Sequence, residues 1–147
     1  MVDFPHDYVI SSTLSIGTIY KFYAPELISC TVPHHFIVIA IEGVNNYLVL
    51  CTSQKESRER HFNNTNLDLT GLVYIKPDLN NGLTKDTFVD CNQYYAISID
   101  SLKSKLESGN LSITGTISVN HYAQIRLGIT TSHINDLPHY LLVHPEE

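Results

Sequence analysis

Apolar and polar positions alternate in the first half of the chain with the two-residue period of β-strands. Residues 17–23 (GTIYKFY) show this alternation, with β-branched and aromatic side chains. Residues 35–41 (HFIVIAI) form a nearly continuous apolar run, which is typical of a strand covered on both faces. Residues 42–46 (EGVNN) supply the Gly and Asn that hairpin turns favour, and residues 47–52 (YLVLCT) provide the partner strand. The pattern therefore predicts a β-hairpin in this part of the chain.

Further strand-like segments follow a long polar stretch. Residues 53–66 have few apolar positions, so we interpret them as a surface loop. Residues 72–76 (LVYIK) predict another strand. Residues 87–99 (TFVDCNQYYAISI) contain one or two strands, with a bend at residues 90–93, and residues 111–116 (LSITGT) predict a brief extended segment.

Two segments change to the helical period. Residues 100–108 carry leucines four positions apart, which predicts a short amphipathic helix. Asp100 or Ser101 can cap its first amides, and Gly109 can end it. Ser118 can cap a second helix. The apolar face predicted for that helix consists of Tyr122, Ile125 and Ile129.

The order of these elements, five or six strands followed by two helices, indicates the fold class. Short turns between strands favour antiparallel pairing, and 147 residues fit one domain of ordinary size. We therefore predict a mainly β (α+β) fold. Its expected form is a small antiparallel β-barrel with two short C-terminal helices, in a single domain of residues 1–147 with its core at about residues 15–132.

Composition and charge narrow the class of protein. The chain is 43% hydrophobic and only 16% charged, which is enough for a core and argues against disorder. Its net charge of −6 argues against nonspecific coating of nucleic acid and leaves room for a local basic patch. The start MVDFPHDYVI has no signal-peptide pattern, and no apolar run approaches the ~20 residues that span a membrane. We expect a cytoplasmic protein that does not enter a membrane.

Cysteines and histidines give no sign of a bound cofactor. The number of cysteines is odd, their spacing is wide, and no CxxC occurs, so reduced thiols are expected. The histidines of the C-terminal third are scattered without metal-ligand spacing, and no glycine-rich phosphate loop is present. We therefore predict neither a metal nor a cofactor. The three cysteines are Cys30, Cys51 and Cys91.

Polar side chains concentrate at the open end of the predicted hairpin, where its first strand starts and its second strand ends. His34 and His35 stand at the start of its first strand, and Thr52, Ser53 and Gln54 stand at the end of its second. An imidazole can act as base or acid because its ordinary pKa is about 6.5, and a hydroxyl can donate to a phosphate oxygen. Adjacent residues of a strand point to opposite faces, so only one of the two histidines can face a given site.

Basic side chains follow this cluster in the polar stretch. Arg58 and Arg60 are two positions apart, and a guanidinium group matches the geometry of a phosphate. His61 is a further candidate acid. Lys76 ends the next predicted strand, where a lysine also serves to protect a sheet edge. Cys91, in the Asp-Cys-Asn bend, is expected to be a buried small apolar residue rather than a nucleophile.

The order of these motifs resembles the MazF/PemK-like toxins. A GTIYKF start precedes a strand led by Pro-His-His, then a strand ending in Cys-Thr-Ser, then LVYIKPD, LTKDTFVDCNQ and a helix, over about residues 15–132. The resemblance implies an SH3-like barrel and a homodimer that cuts single-stranded RNA without a metal ion, leaving a 2′,3′-cyclic phosphate. It also implies a toxin–antitoxin pair, in which a cognate antitoxin protein neutralises the toxin.

The resemblance also assigns roles to individual residues. Family members carry a catalytic Arg-Pro pair before the strand that matches residues 36–41, and a Thr or Ser at the end of the next strand. This chain has His34 close to the arginine position and Thr52 at the second position, so the resemblance implies that both are catalytic. Arg58 or Arg60 can replace the missing arginine in space, and Arg58 is the one expected to be catalytic. The expected substrate-binding residues are His35, Ser53, Gln54, Arg60, His61 and Lys76.

The missing arginine leaves other functions open. One alternative is a noncatalytic binding module on the same barrel, which binds a protein partner or binds RNA without cutting it. Another is a histidine-dependent surface whose assembly changes near pH 6, because the chain has eight histidines.

Overall fold

The computed structural model describes residues 6–142, and within them the chain forms seven strands and four α-helices. The α+β class is confirmed, since the centre of the fold is an antiparallel sheet with helices packed on it. In chain order the elements are α1 (His6–Thr13), β1 (Thr18–Phe22), β2 (His34–Glu42), β3 (Asn45–Thr52), α2 (Lys55–Asn64), β4 (Leu72–Ile75), β5 (Thr87–Asp90), β6 (Tyr95–Ser98), α3 (Ile99–Glu107), β7 (Leu111–Thr116) and α4 (Val119–Thr131), with 3-10 turns at Leu69–Gly71 and His139–Leu141.

The predicted hairpin is the centre of the sheet. Strands β2 and β3 pair antiparallel from Phe36 opposite Leu50 to Glu42 opposite Asn45. The strand order is β4-β5-β3-β2-β1-β7, and β6 pairs with the first half of β3. Every pair in this sheet is antiparallel. Because β2 begins where β3 ends, the polar residues at the start of β2 and at the end of β3 lie at one end of the sheet.

The two faces of the sheet carry separate apolar clusters, which explains the continuous apolar run in β2. Ile37 and Ile39 point into one cluster, which α4 covers with its predicted face. Phe36 and Val38 point into the other, together with Ile10 of α1 and the buried leucine of α3. A strand with both faces covered has no position that favours a polar side chain, so the alternation disappears. The predicted α4 face is confirmed: Tyr122, Ile125 and Ile129 are buried.

The sheet is open in the described part of the chain, so the expected closed barrel is not observed. Its end strands β4 and β7 do not pair with each other. Instead, the loop after β4 reaches β7, where the Thr116 amide donates to the Asn80 carbonyl oxygen at 2.9 Å. Buried Asn81 holds that loop, because its amide donates to the Lys76 carbonyl at 3.0 Å and its oxygen accepts from the Leu83 amide at 2.9 Å.

Two helices lie where the sequence gave no helical signal. The predicted loop at residues 53–66 is wrong, because helix α2 occupies Lys55–Asn64. Phe62 is its one buried residue, so the segment has no apolar stripe; Lys, Glu and Arg, which favour helices, fill five of its ten positions. Helix α1 was not predicted either. These two helices precede the predicted C-terminal pair.

The predicted helix ends are largely correct. The Ser118 hydroxyl caps α4 by accepting from the His121 amide at 3.1 Å. Gly109 follows α3 with φ +80°, the left-handed conformation of a glycine that ends a helix. The cap of α3 differs from the prediction: Ser98, rather than Asp100 or Ser101, accepts from the Ser101 amide at 3.1 Å.

Two glycines with the same backbone conformation test the contact between the β4–β5 loop and β7. Gly82 (φ +66°) has no room for a Cβ because the Thr114 carbonyl lies against it, whereas Gly43 (φ +62°) faces open space. Gly43→Ala should lower the free energy of unfolding by about 1 kcal/mol, the cost of the left-handed conformation. Gly82→Ala should lower the free energy of unfolding by a further ~1–3 kcal/mol, because its Cβ would clash with the Thr114 carbonyl. Urea unfolding measures both, and equal losses would show that the loop does not lie against β7.

Candidate functional site

The ends of three strands bring the polar residues together. Phe22 and Lys21 of β1 lie opposite His34 and His35 of β2. Thr52, the last residue of β3, lies opposite the second residue of β5. Two clefts open at this end of the sheet, and the predicted residues His34, Thr52 and Gln54 line both of them.

The first cleft, which we call the arginine cleft, has a volume of about 510 Å³. It brings His34, Thr52 and Gln54 together with Arg58 of α2, as the sequence predicted. Its lining includes apolar side chains and the carboxylate of Asp90. Its lining residues are Leu27, Ile28, Ser29, His34, Leu50, Thr52, Gln54, Arg58, Asp90, Gln93 and Tyr95.

The second cleft, which we call the lysine cleft, has a volume of about 300 Å³. The predicted residues His35 and Ser53 line it, and His35 does not line the arginine cleft. The expectation that only one of the two histidines faces a given site holds for the arginine cleft, which only His34 lines, and is wrong for the lysine cleft, which both line. The lining residues are Lys21, Pro33, His34, His35, Cys51, Thr52, Ser53, Gln54, Leu83, Thr84, Lys85 and Thr87.

Three of the predicted substrate-binding residues line neither cleft. Arg60 and Lys76 are exposed side chains outside both. His61 is half-buried on α2, where its ring lies 6.3 Å from the ring of Phe62. The helical turn explains the difference between the two arginines, because residues two positions apart on a helix face different directions.

Arg58 and Asp90 form a long ion pair across the arginine cleft. Arg58 Nη1 lies 3.9 Å from Asp90 Oδ2, which exceeds hydrogen-bond range. Asp90 is only 9% exposed, and Oδ2 has no hydrogen-bond partner within residues 6–142. Asp90 thus holds Arg58 by charge alone, which leaves the guanidinium hydrogens available to a bound anion.

A chain of buried hydrogen bonds fixes Asp90. Its Oδ1 accepts from the backbone and side-chain amides of Asn92 at 2.9 and 3.1 Å. Asn92 Oδ1 in turn accepts from the Ser132 hydroxyl at 2.6 Å, just beyond α4. Asn135 completes the connection by donating to the Cys91 carbonyl at 2.9 Å. The wall of the arginine cleft is therefore tied to the C-terminal part of the fold.

Asp90, Gln93 and Tyr95 are site residues that the sequence reasoning did not assign. The available signal was a charged residue inside the otherwise apolar segment TFVDC, since a buried charge requires partners. Tyr95 is half-buried; burial first, and the Asp90 charge second, raise the pKa of its phenol, and Arg58 opposes them. Tyr95 therefore keeps its proton at neutral pH, and its hydroxyl donates to Gln93 Oε1 at 3.0 Å.

The cysteines do not contribute a reactive thiol to either cleft. All three are free, and Cys51 and Cys91 are buried. Burial raises the pKa of Cys51 to about 12 and raises that of Cys91 further, with a smaller contribution from Asp90. Because the thiolate is the nucleophile, these thiols are unreactive at neutral pH. The interpretation of Cys91 as a buried apolar residue is confirmed.

Thr52 and the histidines supply the polar chemistry where the clefts meet. Thr52 Oγ1 accepts from the Gln54 amide at 3.1 Å, so its hydroxyl hydrogen can be donated to a ligand. Partial burial, followed by the charges of Lys21 and His34, lowers the pKa of His35. His35 is therefore a neutral imidazole at pH 7. The arrangement combines imidazole, hydroxyl and guanidinium groups, which suits a phosphate-containing ligand.

A further cleft of about 450 Å³ lies beside α3. Its lysine, Lys105, pairs with Glu26 at 2.8 Å and donates to the Tyr23 carbonyl at 2.7 Å. No group of three or more His, Cys, Asp or Glu side chains in residues 6–142 is placed to hold a metal ion together.

No protein-family model matches the chain, and no curated protein sequence matches it. Among the helices of residues 6–142, none has the length and apolar character needed to cross a membrane.

The lowered pKa of His35 predicts how stability depends on pH. The unfolded chain binds a proton at His35 more readily than the folded chain, so protonation favours unfolding. The free energy of unfolding should fall as pH drops through the ordinary histidine pKa of about 6.5 towards the folded-state pKa. Urea unfolding at pH 7.5 and 5.5 should show a smaller fall for His35→Gln than for the wild type.

His133→Gln is the control for this measurement, because His133 is exposed in the folded chain. It should follow the wild-type pH dependence. If His35→Gln also follows the wild type, His35 is not desolvated in the folded protein.

Proposed function

We propose that the protein is an endoribonuclease that cuts single-stranded RNA without a metal ion, in the manner implied by its resemblance to the MazF/PemK-like toxins. The observation that carries the proposal is the meeting of His34, Thr52 and Arg58 in one cleft. These residues belong to three different elements, and each was selected from the sequence for a role at a phosphate.

The proposed reaction is an internal transfer of the phosphodiester bond. His34 takes the proton of the ribose 2′-hydroxyl, whose oxygen then attacks phosphorus. Arg58 and the Thr52 hydroxyl stabilise the negative charge that develops on the phosphorane oxygens. The bond from phosphorus to the 5′-oxygen breaks, and that oxygen receives the proton of the Tyr95 hydroxyl. The products are a 2′,3′-cyclic phosphate and a 5′-hydroxyl, and solvent restores the two side chains.

The sheet supports the same family assignment. Strand β3 shares one edge between β5 and β6, and the Asn80–Thr116 hydrogen bond links the loop after β4 to β7 at the other end of the sheet. This arrangement is compatible with an SH3-like barrel whose last gap is bridged by a loop. As parts of the proposal, the enzyme acts in the cytoplasm as a homodimer and is neutralised by a cognate antitoxin protein. These last points rest on the sequence resemblance.

Cleavage of a long single-stranded RNA in EDTA tests the proposed function. Wild-type protein should make discrete cuts, and His34→Ala and Arg58→Ala should each reduce the rate by about 100-fold or more, since each removes a catalytic interaction. Arg60→Ala is the matched control because Arg60 lies on the same helix but lines neither cleft. It should retain nearly full activity.

The termini of the products give an independent check. A 2′,3′-cyclic phosphate is expected on each upstream fragment. A strict requirement for Mg²⁺ with 5′-phosphate products would contradict the proposed reaction. Equal losses in Arg58→Ala and Arg60→Ala would place the site elsewhere.

A second candidate function is a noncatalytic binding module. The Arg58–Asp90 pair favours it, because a carboxylate 3.9 Å from the arginine competes with a phosphate for the same charge. Such a paired surface suits a protein partner that offers its own charged groups. A folded protein that cuts no RNA, yet binds a partner with an affinity unchanged by His34→Ala and Thr52→Ala, would support this function.

A further inference from the structure

The lysine cleft is a cationic surface on an acidic protein. Lys21 of β1 and Lys85, which precedes β5, are exposed and line this cleft, and none of its lining residues is Asp or Glu. Neither ammonium group forms an ion pair or a side-chain hydrogen bond within residues 6–142. With a net charge of −6 for the whole chain, two unneutralised lysines at one cleft are available to an anionic ligand.

Hydroxyl groups add neutral donors to the same cleft. Ser53 and Thr84 are exposed, and their hydroxyls have no partner in the described part of the chain. The Thr87 hydroxyl donates to the Lys85 carbonyl at 3.0 Å, which holds the backbone of that lysine against β5. Ammonium and hydroxyl donors without a competing carboxylate are the groups that bind phosphate oxygens.

The charges of the two clefts indicate which cleft receives the neighbouring phosphate of a bound RNA strand. A phosphate held where the clefts meet, at His34 and Thr52, has neighbouring phosphates on either side along the strand. The arginine cleft is unfavourable for a further phosphate, because Asp90 lies in its wall and Arg58 is engaged at the first. The lysine cleft is favourable, because it offers two cations and no acid.

We propose that the lysine cleft is a second phosphate site, which binds the backbone phosphodiester next to the one held at His34. This inference rests on the proposed function, because it takes single-stranded RNA as the ligand. Lys21 and Lys85 neutralise the second phosphate without reading a base. The strand passes from the arginine cleft into the lysine cleft across His34 and Thr52.

The salt dependence of RNA binding tests this site without requiring cleavage. The probe is a mixed-sequence octamer of 2′-O-methyl RNA, which lacks the attacking hydroxyl and stays intact. For single strands the logarithm of the binding constant falls with the logarithm of salt concentration by about 0.7 per neutralised phosphate. The double variant Lys21→Gln/Lys85→Gln should reduce this slope by about 0.7, because it removes one neutralised phosphate, and each single variant should remove part of that change. Between 50 and 200 mM salt the wild type should therefore lose about 2.6-fold more affinity than the double variant.

Lys76→Gln is the matched control, since it removes one exposed lysine that lines neither cleft. Its slope should equal that of the wild type. An unchanged slope in the double variant, or an equal reduction in Lys76→Gln, overturns the proposal. Tighter binding of an acidic octapeptide than of the octamer, lost in the double variant, also overturns it in favour of a protein ligand. Circular dichroism confirms that each variant is folded.

The binding and cleavage measurements separate the two proposals. The expected slope change without any cuts in EDTA would remove the endoribonuclease and retain the phosphate site. Cuts in EDTA with no slope change would remove the phosphate site and retain the endoribonuclease. Failure of the folded wild type to bind the octamer overturns the phosphate site, and the cuts in EDTA still decide the endoribonuclease.

Discussion

Strand β3 pairs along both of its edges, and this pairing positions His34, Thr52 and Asp90 in the candidate site. One edge pairs with β2. The other edge is divided, because Asn45–Leu48 pair with β6 and Cys51 and Thr52 pair with β5. A backbone edge can hold only one partner at each residue, so the chain must bend between β5 and β6. That bend contains Asn92 and Gln93 and brings Asp90 beside the end of β3, where α2 begins with Arg58 nearby.

Apolar packing on both faces of β2 fixes the register of the strands at this end of the sheet. Apolar side chains of β2 point alternately into two clusters, and helices cover both. A strand packed in this way cannot shift by one residue without moving its apolar residues to the wrong face. The register that places Lys21 opposite His35 and His34 next to Thr52 is therefore fixed by the core, and the polar groups need not hold themselves in place.

The parts of the fold that follow local patterns could be predicted from the sequence. The hairpin, the Ser118 cap and the meeting of His34 with Thr52 depend on alternation, turn residues and neighbouring strands. Helix α2 could not be predicted from periodicity, because Phe62 is its single buried anchor. The contact between Arg58 and Asp90 joins segments distant in the sequence, so only the folded sheet reveals it. The same is true of the two lysines, which come from different elements.

The most direct test of this account is a titration of the isotopically labelled wild-type protein with the 2′-O-methyl RNA octamer, followed by the backbone amide NMR signals. If the polar end of the β2–β3 hairpin binds phosphate, the largest shifts should occur at residues 34–35 and 52–54 and at Asp90. The turn at residues 43–44 lies at the other end of the same hairpin and should not respond. Largest shifts at that turn, with little change at residues 52–54, would contradict the account.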